Sequence, residues 1–187
     1  MTVTEVTSSG VPAQYRHRND RLIITLPTPS KAGERRQFTI KYHGIPASGL
    51  WASPNAHGDR GFFSTNWPNL AHQWLPIIDH PYDKATSELI ITAPSKYQVA
   101  ANGLLQEELD LGNGMRLTHW KQSVPIASWL NAIAVAQFYA RQLGNVAGVP
   151  LSVWVPYQDR EAGIASFDLP ARQALEFFSD HIQIVVL

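Results

Sequence analysis

At 187 residues, 44% of them hydrophobic, the chain is long enough to bury one core and has the size of one ordinary domain. Fifteen basic residues balance fifteen acidic ones, so no cationic field is available to gather nucleic acid or an anionic membrane. The absence of cysteine excludes disulfides, thiol nucleophiles and thiolate zinc sites together.

The first ten residues offer neither a basic n-region nor an apolar h-region, so no signal peptide is read. No run reaches the length of a membrane span either, and the compartment stays open. Residues 3–7 alternate like a short strand, and Ser8, Ser9, Gly10, Val11 and Pro12 turn the chain. Residues 13–18 are polar and lead into a turn at Asn19-Asp20. Leu22 to Leu26 is a strand ended by Pro27 and Pro29. After a turn at Lys31 to Glu34, residues 37–44 alternate with Phe38, Ile40 and Tyr42 on one face. Up to residue 44 the pattern is a β-meander.

Residues 45–61 carry Gly49, Gly58, Gly61, Pro46 and Pro54 and are expected to form a long ordered loop. Phe62 to Thr65 resumes an extended path. Leu89 to Pro94 and Tyr97 to Gly103 predict two more strands, and Leu104–Leu111 should pair with Met115–Trp120 across Gly112-Asn113-Gly114. Ser128 to Ala136 is apolar enough for a strand buried on both faces, and Val149 to Val155 is one more strand. The expected fold is therefore mainly β, an antiparallel β-sandwich or saddle-like sheet domain over residues 1–157. Residues 158–166 are polar and predict a linker. From Phe167 to His181 the period becomes helical, with Asp168 as a cap, Pro170 in the first turn, and Ala171, Ala174, Leu175 and Phe178 on one face. Ile182 to Leu187 is an uncharged, β-prone tail, which is an aggregation hazard.

The most distinctive stretch runs from Trp74 to Thr86, where Pro76 and Pro81 forbid a regular helix and set two corners. Asp79 lies between those corners, after an apolar pair and before His80. A carboxylate in such a place caps backbone N–H groups or pairs with a nearby base, the alternative being a catalytic acid.

With Phe62 to Gln73 in front of it, this stretch resembles the N-terminal domain of the aminopeptidase N family of zinc metallopeptidases, to which leukotriene hydrolase belongs. The signature of that family runs aromatic-Thr-Gln-x-Glu-Pro-x-x-Ala-Arg, then aromatic-Pro-x-x-Asp-x-Pro-x-x-Lys-Ala. Pro68, Ala71, Pro76, Asp79, Pro81, Lys84 and Ala85 fall on it without a gap. The resemblance implies that residues 167–187 open a catalytic domain, that strands precede residue 3, and that unpaired sheet edges promote self-association. It implies a non-catalytic domain that packs on the catalytic domain of the same polypeptide and lines a cleft for peptide substrates. Neither nucleic acid nor membrane is an expected partner.

The zinc site of that family needs H-E-x-x-H, two imidazoles one helical turn apart, and its substrate loop needs G-x-M-E-N. None of His17, His43, His57, His72, His80, His119 and His181 is followed by Glu, and no two stand four apart. The only methionines are Met1 and Met115. No cofactor is expected in this chain; the resemblance places zinc in a catalytic domain beyond it.

The family also sets a Gln and a Glu near the free amino group of its substrate, at positions occupied here by Thr65 and Trp67. Asn66 could supply an amide oxygen if the strand register shifts by one. Asn66 and Trp67 are therefore the candidate substrate-binding residues, with Trp67 as an inter-domain packing residue the competing reading. Pro76, Asp79, Pro81 and Lys84 form the structural motif.

Other chemistries lack support in the sequence. No G-x-S-x-G elbow exists, so a serine hydrolase would rest on scattered Ser, His and Asp residues. Gly58 to Gly61 is no phosphate loop, because no Lys-Ser/Thr follows. His72 and His80 could share a metal or be two polar loop histidines. The six tryptophans suit core packing, or else a platform for sugars or peptides in a free-standing β-sandwich binding module.

Overall fold

The computed structural model describes residues 1–182. The β-prone segment 183–187 lies outside the described residues. Two compact units divide the chain, one formed by Met1–Trp51, Ser64–Ala85 and Ile126–Ala132, the other by Ala52–Phe63, Thr86–Pro125 and the rest.

The first unit is built on five short strands: β1 (Thr2–Ser8), β2 (Val11–Pro12), β3 (Gln14–Arg18), β4 (Arg21–Thr25) and β5 (Phe38–His43). β1 lies between β2 and β5 in an antiparallel sheet, with Val6 buried at its centre. β3 and β4 form a hairpin whose turn residues Asn19 and Asp20 both have positive φ, 51° and 55°. Asn and Asp tolerate that left-handed conformation better than other residues with a side chain. The polar stretch 13–18 thus contains a strand that its residue pattern does not show. Its backbone finds partners along β4, and only Tyr15 of its side chains is half-buried, bonding through its hydroxyl to the Val3 carbonyl at 3.2 Å.

The second unit carries β6 (Leu50–Pro54), β7 (Arg60–Ser64), β8 (Ala85–Pro94), β9 (Gln98–Ala101), β10 (Leu104–Asp110), β11 (Met115–Ile126), β12 (Ile133–Ala136), β13 (Phe138–Val146) and β14 (Val149–Pro156). They form a four-stranded sheet in the order β6-β7-β12-β9, a three-stranded sheet β10-β11-β8 and the hairpin β13-β14. Ala93, Tyr97, Val99 and Val135 make one core, against which Phe62, Ile91 and Trp120 pack. At the β10–β11 turn Gly112 and Gly114 have φ of 76° and 77°, while Asp110 and Asn113 side chains accept the Gly112 and Met115 N–H groups.

Three expectations change. Residues 45–61 are not one loop, because β6 and β7 pair there around a turn closed by Asn55, whose side-chain oxygen accepts the N–H groups of His57 and Asp59 at 2.9 Å each. The stretch from Ser128 to Ala136 is not one strand: Ser128–Leu130 is a 3-10 turn and only β12 is extended. There the Asn131 side chain donates to the Ser128 carbonyl, an alternative partner that competes with a ladder.

The C-terminal helix α1 (Arg160–Ile182) starts inside the stretch expected to be a linker, and Pro170 sits in its interior rather than in its first turn. Packing overrides the polar sequence here. Ile164 is buried with Val153 and Val155, and Gly163 lies so close to Val155 that an added Cβ would meet its Cγ1 at 2.7 Å. Pro170 removes one helix donor, to the Ser166 carbonyl, and Ser166 is exposed, so water can satisfy it. The molecule is mainly antiparallel β with one C-terminal helix.

Candidate functional site: a carboxylate brace beneath two indoles

The residues between β7 and β8 fold by local hydrogen bonds, as the prolines require. The Leu70 N–H donates to the Asn66 carbonyl at 2.8 Å, and Ala71–Gln73 forms a 3-10 turn whose Ala71 carbonyl accepts the Trp74 and Leu75 N–H groups. Ala71 is fully buried. Pro76 and Pro81 are exposed. Pro81 takes the second position of a turn closed by the Asp83 N–H on the His80 carbonyl at 3.1 Å. Lys84 is exposed directly before β8.

Asp79 is turned inward from this stretch, with its side chain 7% exposed. Its Oδ1 accepts the Ser128 hydroxyl at 2.6 Å. Its Oδ2 accepts the His72 backbone N–H at 3.1 Å and the His72 ring Nδ1–H at 2.9 Å. The ring's other nitrogen, Nε2, accepts the Gln73 side-chain amide at 2.7 Å. A neutral imidazole has one donor and one acceptor, so these two neighbours together select the Nδ1–H tautomer. Burial alone would raise the Asp79 carboxyl, but the bonds from Ser128 and His72 outweigh it and hold it below the usual carboxylate range.

Beside the carboxylate lies a chain of buried amides. Asn66 is 4% exposed; its side-chain oxygen accepts the Trp74 indole N–H at 2.8 Å and its NH2 donates to the Asn131 carbonyl. Asn131 donates in turn to the Ser128 carbonyl at 3.1 Å. The Trp74 carbonyl accepts the Tyr42 hydroxyl at 3.0 Å, and burial pushes that phenol up from its ordinary pKa. Two indoles stand next to these anchored residues, Trp67 exposed and Trp129 half-buried. Trp67, 65% exposed, follows Asn66, and Trp129 lies between Ser128 and Asn131; their rings are 4.6 Å apart at 48°.

Hydrogen bonds to one buried carboxylate tie these stretches of chain together. Ser128, Asp79 and His72 do come together, but with the carboxylate in the middle. The hydroxyl that would have to be a nucleophile donates its hydrogen bond to the carboxylate, and no hydrogen bond links it to His72. His80 does not join His72, since its Nδ1 accepts the Tyr82 N–H at 3.3 Å. Among the described residues, no three His, Asp or Glu side chains gather in a way that could hold a metal ion. Of the two candidate substrate residues, Trp67 lies at the surface while Asn66 is committed to Trp74 and Asn131.

Ser128 and Asn131 were not singled out from the sequence, and His72 was read as a metal partner of His80 or as a polar loop histidine, not as the partner of Asp79. The available signal was Ser128 and Asn131 inside an otherwise apolar run, since a polar side chain buried in such a run needs a partner.

A profile of the peptidase M1 N-terminal domain family matches residues 1–130. Rat (Rattus norvegicus) glutamyl aminopeptidase is 31% identical over 115 residues, 61% of this chain and 12% of that protein. A probable M1 family aminopeptidase of Encephalitozoon cuniculi is 26% identical over 160 residues, covering 84% of this chain and 18% of its own. The chain thus spans less than a fifth of these curated relatives. Among solved structures, an M1 zinc metallopeptidase from Deinococcus radiodurans superposes with a TM-score of 0.71 at 24% identity, over 82% of this chain and 36% of that one. A two-domain M1 zinc metallopeptidase bound to L-arginine superposes with a TM-score of 0.75 at 21% identity, over 96% and 43%. The fold is that of these proteins, and the match over residues 1–130 shows that the chain belongs to the peptidase M1 N-terminal domain family.

Proposed function

We propose that this chain is the non-catalytic N-terminal domain of a zinc aminopeptidase, an enzyme that removes N-terminal residues from peptides. The match to the peptidase M1 N-terminal domain family over residues 1–130, which includes Asp79 and all its partners, carries this reading. Residues 1–157 form the β domain and α1 opens the catalytic domain, with residues 160–166 as its first turns. H-E-x-x-H is missing from the sequence, and among the described residues no cluster of His, Asp or Glu could hold a zinc ion in its place. The metal belongs to a catalytic domain on which this one packs.

Within that enzyme Trp67 lines the substrate cleft, supported by its exposure and its place in the signature, and Asn66 anchors it from beneath. An indole face attracts a substrate ammonium group where a carboxylate is absent. The free-standing binding module has no comparable support.

The test is to express the whole reading frame that contains these residues and assay release of N-terminal residues from aminoacyl-4-nitroanilides. Activity abolished by a chelator and restored by zinc is expected, with the 187-residue chain inactive alone. A full-length product without aminopeptidase activity would overturn the proposal.

A further inference from the structure

We propose that Asp79 is a positioning residue for the indole pair, with its carboxylate locking Trp67 and Trp129 into one arrangement. Each of its oxygens serves a different stretch of chain. Oδ1 holds Ser128, the residue immediately before Trp129. Oδ2 holds His72 by backbone and ring, in the turn whose next residue, Trp74 after Gln73, grips Asn66 through its indole N–H. Asn66 immediately precedes Trp67. The two rings therefore rise from stretches that meet at one carboxylate and at one amide contact, Asn66 to Asn131.

The chemistry demands an acid. Three donors converge on two oxygens, and an amide in place of the carboxylate turns an NH2 either toward the two His72 donors or toward the Ser128 hydroxyl. The first clashes donor against donor. The second keeps His72 and lets the NH2 donate to the Ser128 oxygen, but the Ser128 hydroxyl proton loses its acceptor, so the Trp129 side of the brace is weakened. Ser128 is 2% exposed and Asn131 6%, so neither finds water as a substitute.

The consequence for binding rests on the proposal that Trp67 lines a substrate cleft; the positioning itself does not. Near-UV circular dichroism of the chain reads the ring arrangement directly, because indoles 4.6 Å apart couple. Trp67→Phe identifies the couplet by removing it. Ser128→Ala and Asp79→Asn are expected to reduce the couplet by about half or more while far-UV spectra and cooperative unfolding persist, and Ser128→Thr, which keeps the hydroxyl, to restore it. If Asp79→Asn does not fold, Ser128→Ala carries the test. An unchanged couplet in Ser128→Ala would overturn the proposal. In the full-length enzyme, KM for a peptide should rise about fivefold in Ser128→Ala with kcat little changed. A lost couplet with unchanged KM supports the positioning role and refutes the cleft role of Trp67, so the two readings fail separately.

Discussion

His72 reaches Asp79 twice, with its backbone N–H at 3.1 Å and its ring Nδ1 at 2.9 Å meeting the same carboxylate oxygen. The backbone bond fixes the turn and the ring bond fixes the imidazole, so the acid organises its own neighbour before it reaches Ser128. The pair serves to hold structure, and its dependence on pH follows from the state of the acid.

Because the folded protein holds the Asp79 carboxyl below its ordinary value, the charged acid is worth more folded than unfolded. That stability is fully present above the unfolded carboxylate pKa of about 4 and is lost as pH falls through the lower folded value. Asp79→Asn is expected to cost on the order of 2 kcal/mol at pH 7. Measured by urea unfolding, the gap to wild type should narrow below about pH 4, where the acid protonates in both states. A gap constant down to pH 2 would show that the charge of Asp79 contributes nothing.

Asn66 is buried between an indole N–H and a carbonyl, and Asn66→Ala leaves both without a partner. The expected loss is about 2–3 kcal/mol, the cost of two desolvated groups rather than of one bond. Trp74→Phe should be strongly non-additive with it, by about 1 kcal/mol in a double-mutant cycle from thermal denaturation.

Trp67 gives the opposite result at the neighbouring position. It is 65% exposed and its main contact is the Trp129 ring, so Trp67→Ala should cost at most about 1 kcal/mol. Stability that is almost unchanged by Trp67→Ala but lost in Asn66→Ala, compared by chemical denaturation, would separate the surface ring from its anchor.

Gly49 has φ of +80°, and a Cβ there would come within 2.3 Å of the Leu70 carbonyl oxygen and 3.1 Å of the Trp74 ring. Its own carbonyl accepts the Thr65 N–H at 2.8 Å, so the loop cannot simply back away. Gly49→Ala should therefore lose on the order of 3 kcal/mol and lower the melting temperature measurably, while Gly58→Ala, with open space around it, pays only for its backbone conformation.

What the sequence revealed and what it hid follow from range. The β10–β11 hairpin was legible because Gly112, Asn113 and Gly114 declare their turn locally, and the helix over 167–181 because its period is local too, although Ala174 and Phe178 of its expected apolar face are exposed. β3 was hidden, since its residues are polar and only its partner strand makes it extended. The start of α1 was hidden for the same reason: Ile164 is helical in order to bury against Val153 and Val155. The proline corners and Asp79 could be read as a motif with a capping or pairing acid. That the pairing base is His72, and that a hydroxyl from residue 128 completes the set, depends on contacts no local pattern carries.

The bond from Ser128 to Asp79 spans 49 positions, and Ile126–Ala132 is the last piece of chain that the first unit receives. During synthesis from the N-terminus that unit lacks its final segment until residue 132 has emerged, although most of its strands are already complete. Long-range closure of this kind comes late on a folding route, after the local hairpins have paid their smaller entropy. Asp79 waits through that interval with one oxygen unfilled. Weakening the brace should then hasten unfolding far more than it slows folding, which makes it a determinant of how long the native state lasts.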